Sequence, residues 1–551
     1  MTTFARELAG ALEEFGVRHA FGVSGGAISF FWSALAGTGI RVTHFRHESG
    51  AAFAACEASV ESGAPVVVFV TSGPGITNVL TGMYAARYEA ARVILVSASS
   101  ESAMHGRRPI QETGPLTLPQ QGIFTAGPLF DHAEVVRDPA RLPEVVGALA
   151  GGLARRRFLA HLSLTLPVQR AAVEPVPAPA AATPPPDGAA EYAAQAYALL
   201  RGQPWVMWVG GGMRGHAGPA RRLARAAGVP VMATPRGKGV IAEDDPAYLG
   251  VTGFAGHATV LAHLAEHPPE YTVVLGNSLG DFGTGYDPGY APASAFVHVD
   301  TDPTVYGRAY PATKTVQVPC DAGRFCAELA ALYEADPAPP LDLGLRPFAF
   351  DDRPGTPLDP GYVMGAVQSV LVEGGVPVLA ETGNTLAWAI SRLRFADPRG
   401  WRAPSGLVGS MGHFSSGVVG AALASGRPCA ALVGDGSMLM LNEVSTAVHT
   451  GAPAIWVVFN DASYNMCAQG AAQLGLSNVD CAIPPTDFAL LATALGAGGS
   501  RVEDPADLAP ALAAAVRAGA PYVVDVHIDP SRPAPTMNRV AGLLRDSGRR
   551  P

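Results

Sequence analysis

The stretch LVGDGSMLMLNEVSTAVHTGAPAIWVVFND, residues 432–461, decides how this chain is read. An apolar run ends at Gly434-Asp435-Gly436-Ser437, a helix-like segment follows, and a second apolar run ends at Asn460-Asp461. Short, nearly continuous apolar runs separated by a helical pattern predict parallel strands buried on both faces. A strand, a helix and a second parallel strand put both strand ends on one edge of a sheet, where such sheets bind ligands. Gly434 and Gly436 let the backbone turn tightly and come close to a ligand. Asp435 on one tip and Asn460-Asp461 on the next are hard oxygen donors that suit Mg²⁺, an ion usually held by few protein ligands plus phosphate oxygens. The first turn of the intervening helix adds backbone N–H groups for an anion. GDGS alone is equally a plain tight turn, and Asn-Asp alone an ordinary strand end. Their spacing is what points to a metal and a phosphate.

The same alternation runs through the whole chain. APVVVFVTS (64–72) and ARVILVSAS (91–99) come first; PWVMWVGGG (204–212), YTVVLGNS (271–278) and AFVHVDTD (295–302) follow. VPVLAETGN (376–384), CAALVGDGS (429–437), AIWVVFND (454–461) and PYVVDVHID (521–529) complete the series. Two stretches rich in Pro and Ala interrupt it, VEPVPAPAAATPPPDGA (173–189) and ADPAPPLDLGLRPFAFDDRPGTPLDP (335–360). Such composition builds no core and reads as semi-rigid linker. The expected architecture is therefore α/β, with three doubly wound parallel-sheet domains at 1–170, 190–334 and 360–532. Segments 171–189 and 335–359 are the linkers, and 533–551 is a polar tail.

Bulk properties agree. The 551 residues allow about three or four domains of roughly 150 residues. A hydrophobic share of 48% against 15% charged residues supports large cores. The net charge of −9 and the lack of a basic run argue against nucleic acid. The start, MTTFARELAGALEEFG, has no apolar signal segment, and no window of about 18 apolar residues suggests a membrane span. The six cysteines are scattered without CxxC spacing, so reduced thiols and a cytoplasmic location are expected.

With GDG followed by Asn-Asp at this distance, the chain resembles thiamine diphosphate enzymes, whose signature is GDG and then, some twenty-five residues on, Asn-Asn. The resemblance covers nearly the whole chain and is strongest to the acetohydroxyacid synthase and pyruvate oxidase-like branch. It implies thiamine diphosphate and Mg²⁺ as cofactors. Asp435, Asp461 and the Ser463 carbonyl would be the metal ligands, with Asp461 standing where the signature usually has Asn. Gly434, Gly436, Ser437 and Asn460 complete that cofactor-binding motif. In VTHFRHESGAAFAACEASV (42–60), Glu48 matches the acid that hydrogen-bonds the aminopyrimidine and promotes activation of the thiazolium; His47 beside it reads as structural. FGVSGGAISFFWSAL (21–35) supplies Ser24, and TSGPGITN (71–78) supplies Gly73, Pro74 and Asn78 to the pocket wall. AETGNTLAWA (380–389) resembles a diphosphate loop with Asn384 and Thr385. In GLVGSMGHFSSGVVGAAL (406–423), the Gly409 carbonyl would accept from the 4′-amino group and Met411 would wedge between the two rings. Tyr464, Asn465 and Met466 would line the entrance with Gln469. The acid-bearing domain of one subunit would face the metal-bearing domain of another, implying a homodimer or homotetramer.

The branch decarboxylates a 2-oxo acid and hands the acyl-anion equivalent to a second carbonyl. RRPIQETG (107–114) places Gln111 in the catalytic set, with Ile110 where the synthases have Phe. The lone His105 lacks the His-His pair typical of simple decarboxylases. His413 stands where the synthases have an apolar residue and is a candidate acid or base toward bound substrate. Two departures concern the acceptor: TAGPLFDHAEVV (125–136) lacks the synthases' lysine, and Gly470 replaces the Trp of a Gln-Trp pair. Both favour an acceptor larger or more polar than a short 2-oxo acid. A decarboxylase or lyase without ligation is the alternative. LGNSLGDFGTGY (275–286) lacks the arginine usual in flavin-binding members, so FAD is possible but not expected.

Overall fold

The computed structural model describes residues 2–177, 187–440 and 443–536. Part of the first linker (178–186) and most of the tail (537–551) lie outside the described residues. Residues 335–359 carry no helix or strand apart from a single bridge between Leu358 and Ile528.

Three six-stranded sheets, each wholly parallel, form the protein. The first runs Arg41–His44, His19–Gly22, Val66–Val70, Arg92–Ser99, Phe158–Thr165 and His132–Val136 in space. The third runs Trp401–Arg402, Val378–Ala380, Cys429–Gly434, Ala454–Asn460, Tyr522–His527 and Gly498–Val502. Numbered in chain order, both read 2-1-3-4-6-5. In each, the strand order reverses between the first and third strands, and the crevice beyond that pair is the ligand position of a doubly wound sheet. Those strand ends carry Ser24 and Gly73 in the first sheet, and Asn384 and Asp435 in the third. The central sheet runs Tyr248–Val251, Val231–Ala233, Trp205–Val209, Tyr271–Leu275, Ala295–Val299 and Thr315–Val318, a 3-2-1-4-5-6 order.

The first and third units share one core. Helix Glu48–Ser62 packs along helix His413–Ser425, and small residues make the close approach possible. A side chain on Gly420 would run into the backbone of Ala54. Val68 and Leu95 of one sheet and Ala431, Val433 and Val458 of the other belong to the same buried cluster. Among the described residues between Asp435 and Asp461 there are two helices, Asp435–Met440 and Val444–Thr450, where the sequence suggested one.

A buried histidine in the first sheet gives a stability prediction. His161 is fully buried, with Nδ1 2.6 Å from the Ile123 carbonyl and Nε2 2.8 Å from the Ser97 hydroxyl. The carbonyl fixes the tautomer: Nδ1–H donates and Nε2 accepts. Burial holds the imidazole down at about 4 rather than 6.5. The folded chain therefore binds this proton less readily than the unfolded chain. The group's stabilisation is full above pH 6.5 and is lost as pH falls, reaching about 3 kcal/mol by pH 4. His257, held by burial at about 3, adds in the same direction. The urea unfolding midpoint is expected to drop between pH 7 and pH 5; a flat or rising midpoint over that interval would contradict the assignment.

Candidate cofactor site

Asp435 and Asp461, the expected metal ligands, come together at the ends of neighbouring strands. Asp435 ends strand Cys429–Gly434 and is 3% exposed. Its Oδ1 accepts from Gly436 N at 2.7 Å, and its Oδ2 accepts from Asp461 N and Ser463 N at 3.2 and 3.3 Å. Asp461 follows strand Ala454–Asn460, and its Oδ2 accepts from Asn465 Nδ2 at 2.6 Å. Burial raises the proton affinity of both carboxyls, Asp461 to about 6, with the Asp435 charge adding to the latter. Two desolvated acids whose charges repel are costly unless a cation joins them. This donor set therefore fits Mg²⁺. Gly436 is required by close approach: a side chain there would strike the Tyr464 ring and reach Met411 Cε at 3.4 Å. Met411, Tyr464 and the metal loop thus converge.

The loop expected to meet the diphosphate follows strand Val378–Ala380. Asn384 Nδ2 donates to Gln469 Oε1 at 3.4 Å, and Thr385 is buried. Two buried polar atoms in this loop, Thr382 Oγ1 and Asn384 Oδ1, have no partner among the described residues. Native proteins rarely leave such atoms unpaired, so a polar ligand at this loop fits. Gly409 (φ 54°) and Gly412 (φ 87°) shape the turn around Met411.

The residues expected on the pyrimidine side lie on the first sheet. Glu48 opens its helix, is 8% exposed, and accepts from Asn78 Nδ2 at 3.0 Å. His47 caps the same helix, its Nδ1 accepting from Ser49 N, in keeping with a structural role. Gln111 (φ 54°) packs against Gly73, and its Oε1 accepts from Thr71 Oγ1 at 3.3 Å. Pro74 starts the helix that carries Asn78, and Ser24 is exposed in the loop after strand His19–Gly22.

Two side chains sit differently from the expectation. Asn460 is turned inward, donating to Asp525 Oδ1 and to the Thr486 carbonyl, both at 2.9 Å. The neighbouring strand brings Asp525, fully buried, within reach, and the amide satisfies it. His413 is 2% exposed, with Nε2 on Glu57 Oε1 at 2.9 Å and its ring stacked on Phe53, so that nitrogen does not face an open cleft.

Three buried acids went unnoticed in the sequence. Glu381 Oε2 accepts from Phe414 N and Ser415 N at 2.8 and 3.1 Å, tying the diphosphate loop to the helix after the Met411 turn. Glu443 accepts from Arg46 N and His47 N at 3.1 and 3.2 Å, fixing the entry to the Glu48 helix from the third unit. Glu57 receives Arg402 in a bidentate pair, both contacts at 2.8 Å. Glu443 had a usable signal, being the only acid between Asp435 and Asp461.

Comparison with known proteins agrees with this geometry. Residues 2–118, 193–329 and 381–526 match the N-terminal TPP binding, central and C-terminal TPP binding domains of thiamine pyrophosphate enzymes. The acetolactate synthase large subunit of Parasynechococcus marenigrum is 30% identical over 95% of this chain and 87% of its own length. The probable acetolactate synthase large subunit of Methanocaldococcus jannaschii is 28% identical over 95% and 92%. Among solved structures, benzoylformate decarboxylase from Polynucleobacter necessarius superposes with a TM-score of 0.81 at 19% identity, covering 97% of this chain and 100% of that one, a likeness of fold. The chain belongs to the thiamine diphosphate-dependent enzymes of the acetohydroxyacid synthase and pyruvate oxidase-like family. Among the described residues no helix is long and apolar enough to cross a membrane.

Proposed function

We propose that this enzyme decarboxylates a pyruvate-like 2-oxo acid and joins the remainder to a second carbonyl compound that is larger or more polar than a short 2-oxo acid. For an aldehyde acceptor the balance is RCOCOOH plus R′CHO giving RCOCH(OH)R′ plus CO₂, with the acid proton ending on the new hydroxyl. Bound thiamine diphosphate would supply the electron sink for loss of CO₂. Asp435, Asp461 and the Ser463 carbonyl would hold Mg²⁺ against the diphosphate, and Thr382, Asn384 and Thr385 would line its other side. Glu48 would hold the proton at the aminopyrimidine, while Gly409 and Met411 fix the bend. A homo-oligomer with sites between subunits is what the family resemblance implies; within one chain, the unit of Glu48 and Asn78 and the unit of Asp435 and Met411 share a core.

The observation that carries the acceptor reading is a cavity of about 230 Å³ beside Asn384, lined by Met466, Cys467, Gln469, Gly470 and Leu474. A side chain started at Gly470 would meet nothing within 4 Å, so the space is open where relatives of this branch carry a bulky ring. Gly470→Trp is expected to shift acceptor use toward short 2-oxo acids by at least about tenfold, the scale of one methylene in a pocket. Competition between pyruvate and a larger aldehyde measures it. Efficient acetolactate formation from pyruvate alone by the unaltered enzyme would overturn the reading.

FAD is not expected in the central unit, because LGNSLGDFGTGY (275–286) lacks the arginine usual in flavin-binding members. The sheet of that unit reverses between strands Trp205–Val209 and Tyr271–Leu275, and the loops beyond them touch. Gly212 N donates to the Gly276 carbonyl at 2.9 Å, and a side chain on Gly212 would lie 2.7 Å from Gly276 Cα.

A further inference from the structure

We propose that His413, held by Glu57, is a positioning residue that joins the helix bearing Glu48 to the Gly409–Gly412 turn; the proposal rests on the thiamine diphosphate reading above. His413 is the first residue of its helix and directly follows Gly412, one step from Met411. Its ring lies 5.0 Å from that of Phe53 at an interplanar angle of 19°. Its Nε2 is 2.9 Å from Glu57 Oε1. Phe53 and Glu57 both belong to the helix that begins at Glu48. From the other side, Phe414 N and Ser415 N donate to Glu381, the residue that opens the diphosphate loop. The activating acid's helix, the diphosphate loop and the bending turn therefore meet at one buried joint.

The joint is rigid by construction. Glu57 is 1% exposed and is locked by the two parallel bonds from Arg402, which also reaches Glu89 Oε2 at 3.0 Å. Glu89 in turn is paired with Arg236 of the central unit. A bidentate guanidinium–carboxylate pair fixes direction as well as distance, so Glu57 offers His413 one geometry. Cys56, Glu57 and His413 lie close enough together to suggest a metal site, but the chemistry opposes it. Both Glu57 oxygens are taken by Arg402, and burial together with the Glu57 charge pushes the Cys56 thiol well up, keeping it protonated. Metal ligation needs the thiolate.

The test uses a readout that needs no substrate. The C2 proton of thiamine diphosphate bound to the full-length enzyme with Mg²⁺ is exchanged in D₂O, quenched in acid and followed by NMR. Glu57→Gln and His413→Ala are expected to slow this exchange at least tenfold while cofactor Kd stays within about threefold. Glu243→Gln, which breaks the buried Lys238–Glu243 pair and removes no contact of Glu57 or His413, is the control: it is expected to lower Tm and leave the exchange rate unchanged. Should Glu57→Gln fail to fold, His413→Ala carries the test, since it leaves the Arg402 pair intact. Unchanged exchange in both joint variants, or equal slowing in Glu243→Gln, would overturn the positioning role. An unaltered enzyme that exchanges C2 no faster than free cofactor would instead overturn the cofactor reading beneath it.

Discussion

Replacing Glu48 by glutamine is expected to cut turnover on the order of a thousandfold, the scale of a lost general acid–base group, with folding and cofactor binding intact. Glutamine has the shape of glutamate and keeps an oxygen to accept from Asn78 Nδ2, which lies 3.0 Å from Glu48 Oε2. The helix should also keep its entry, because the residues before it are fixed by Glu443 and by the His47 cap. What glutamine cannot do is hold or release a proton at that oxygen. Steady-state rates with a 2-oxo acid, together with cofactor titration by calorimetry, separate the two effects. A variant retaining turnover within tenfold of the unaltered enzyme would remove Glu48 from the mechanism.

Replacing Asp435 by asparagine is expected to weaken Mg²⁺-dependent cofactor binding at least about a hundredfold, while raising the Tm of the metal-free protein. The signs differ for one reason. Without a cation, Asp435 is a 3% exposed carboxyl whose charge burial disfavours, and it also raises the cost of charge on Asp461. Removing it relieves both. With a cation the same pair would become its anchor, so the loss would be fully felt. A ligand at a hundred times its Kd stabilises the folded state by about 2.7 kcal/mol. A hundredfold weaker variant at that concentration gains only about 0.4 kcal/mol. Thermal melts with and without Mg²⁺ and thiamine diphosphate read both numbers. Equal ligand-induced gains in the two proteins would mean that the metal sits elsewhere.

Much of this site is legible in the amino-acid sequence, because its residues stand at positions that local pattern marks. Asp435 and Asp461 directly follow nearly continuous apolar strands, and an apolar run that stops at a polar residue announces a sheet edge. Glu48 follows a histidine cap at the start of an Ala-rich helix. Gly409, Gly412 and Gly436 occupy points where positive φ or close approach excludes a side chain. Each of these signals is contained within a few residues.

The remainder is visible only in three dimensions. Asn460 ends its strand as the motif requires, yet its amide answers Asp525, 65 positions away, and turns inward. His413 looks free to act on substrate until packing sets it against Glu57, 356 positions distant. Nothing near Glu381 in sequence shows that it caps a helix, and nothing near Glu443 shows that it reaches across to Arg46 and His47.

The amino-acid order by itself determined where strands end and which tips carry oxygen donors, the pattern on which the resemblance to a coenzyme class rests. Tertiary structure alone decided which buried charges became joints and which side chains were left facing a ligand. Strand ends and turns are set by interactions between near neighbours, whereas a buried acid acquires its role only when a donor from a remote segment arrives to offset its desolvation.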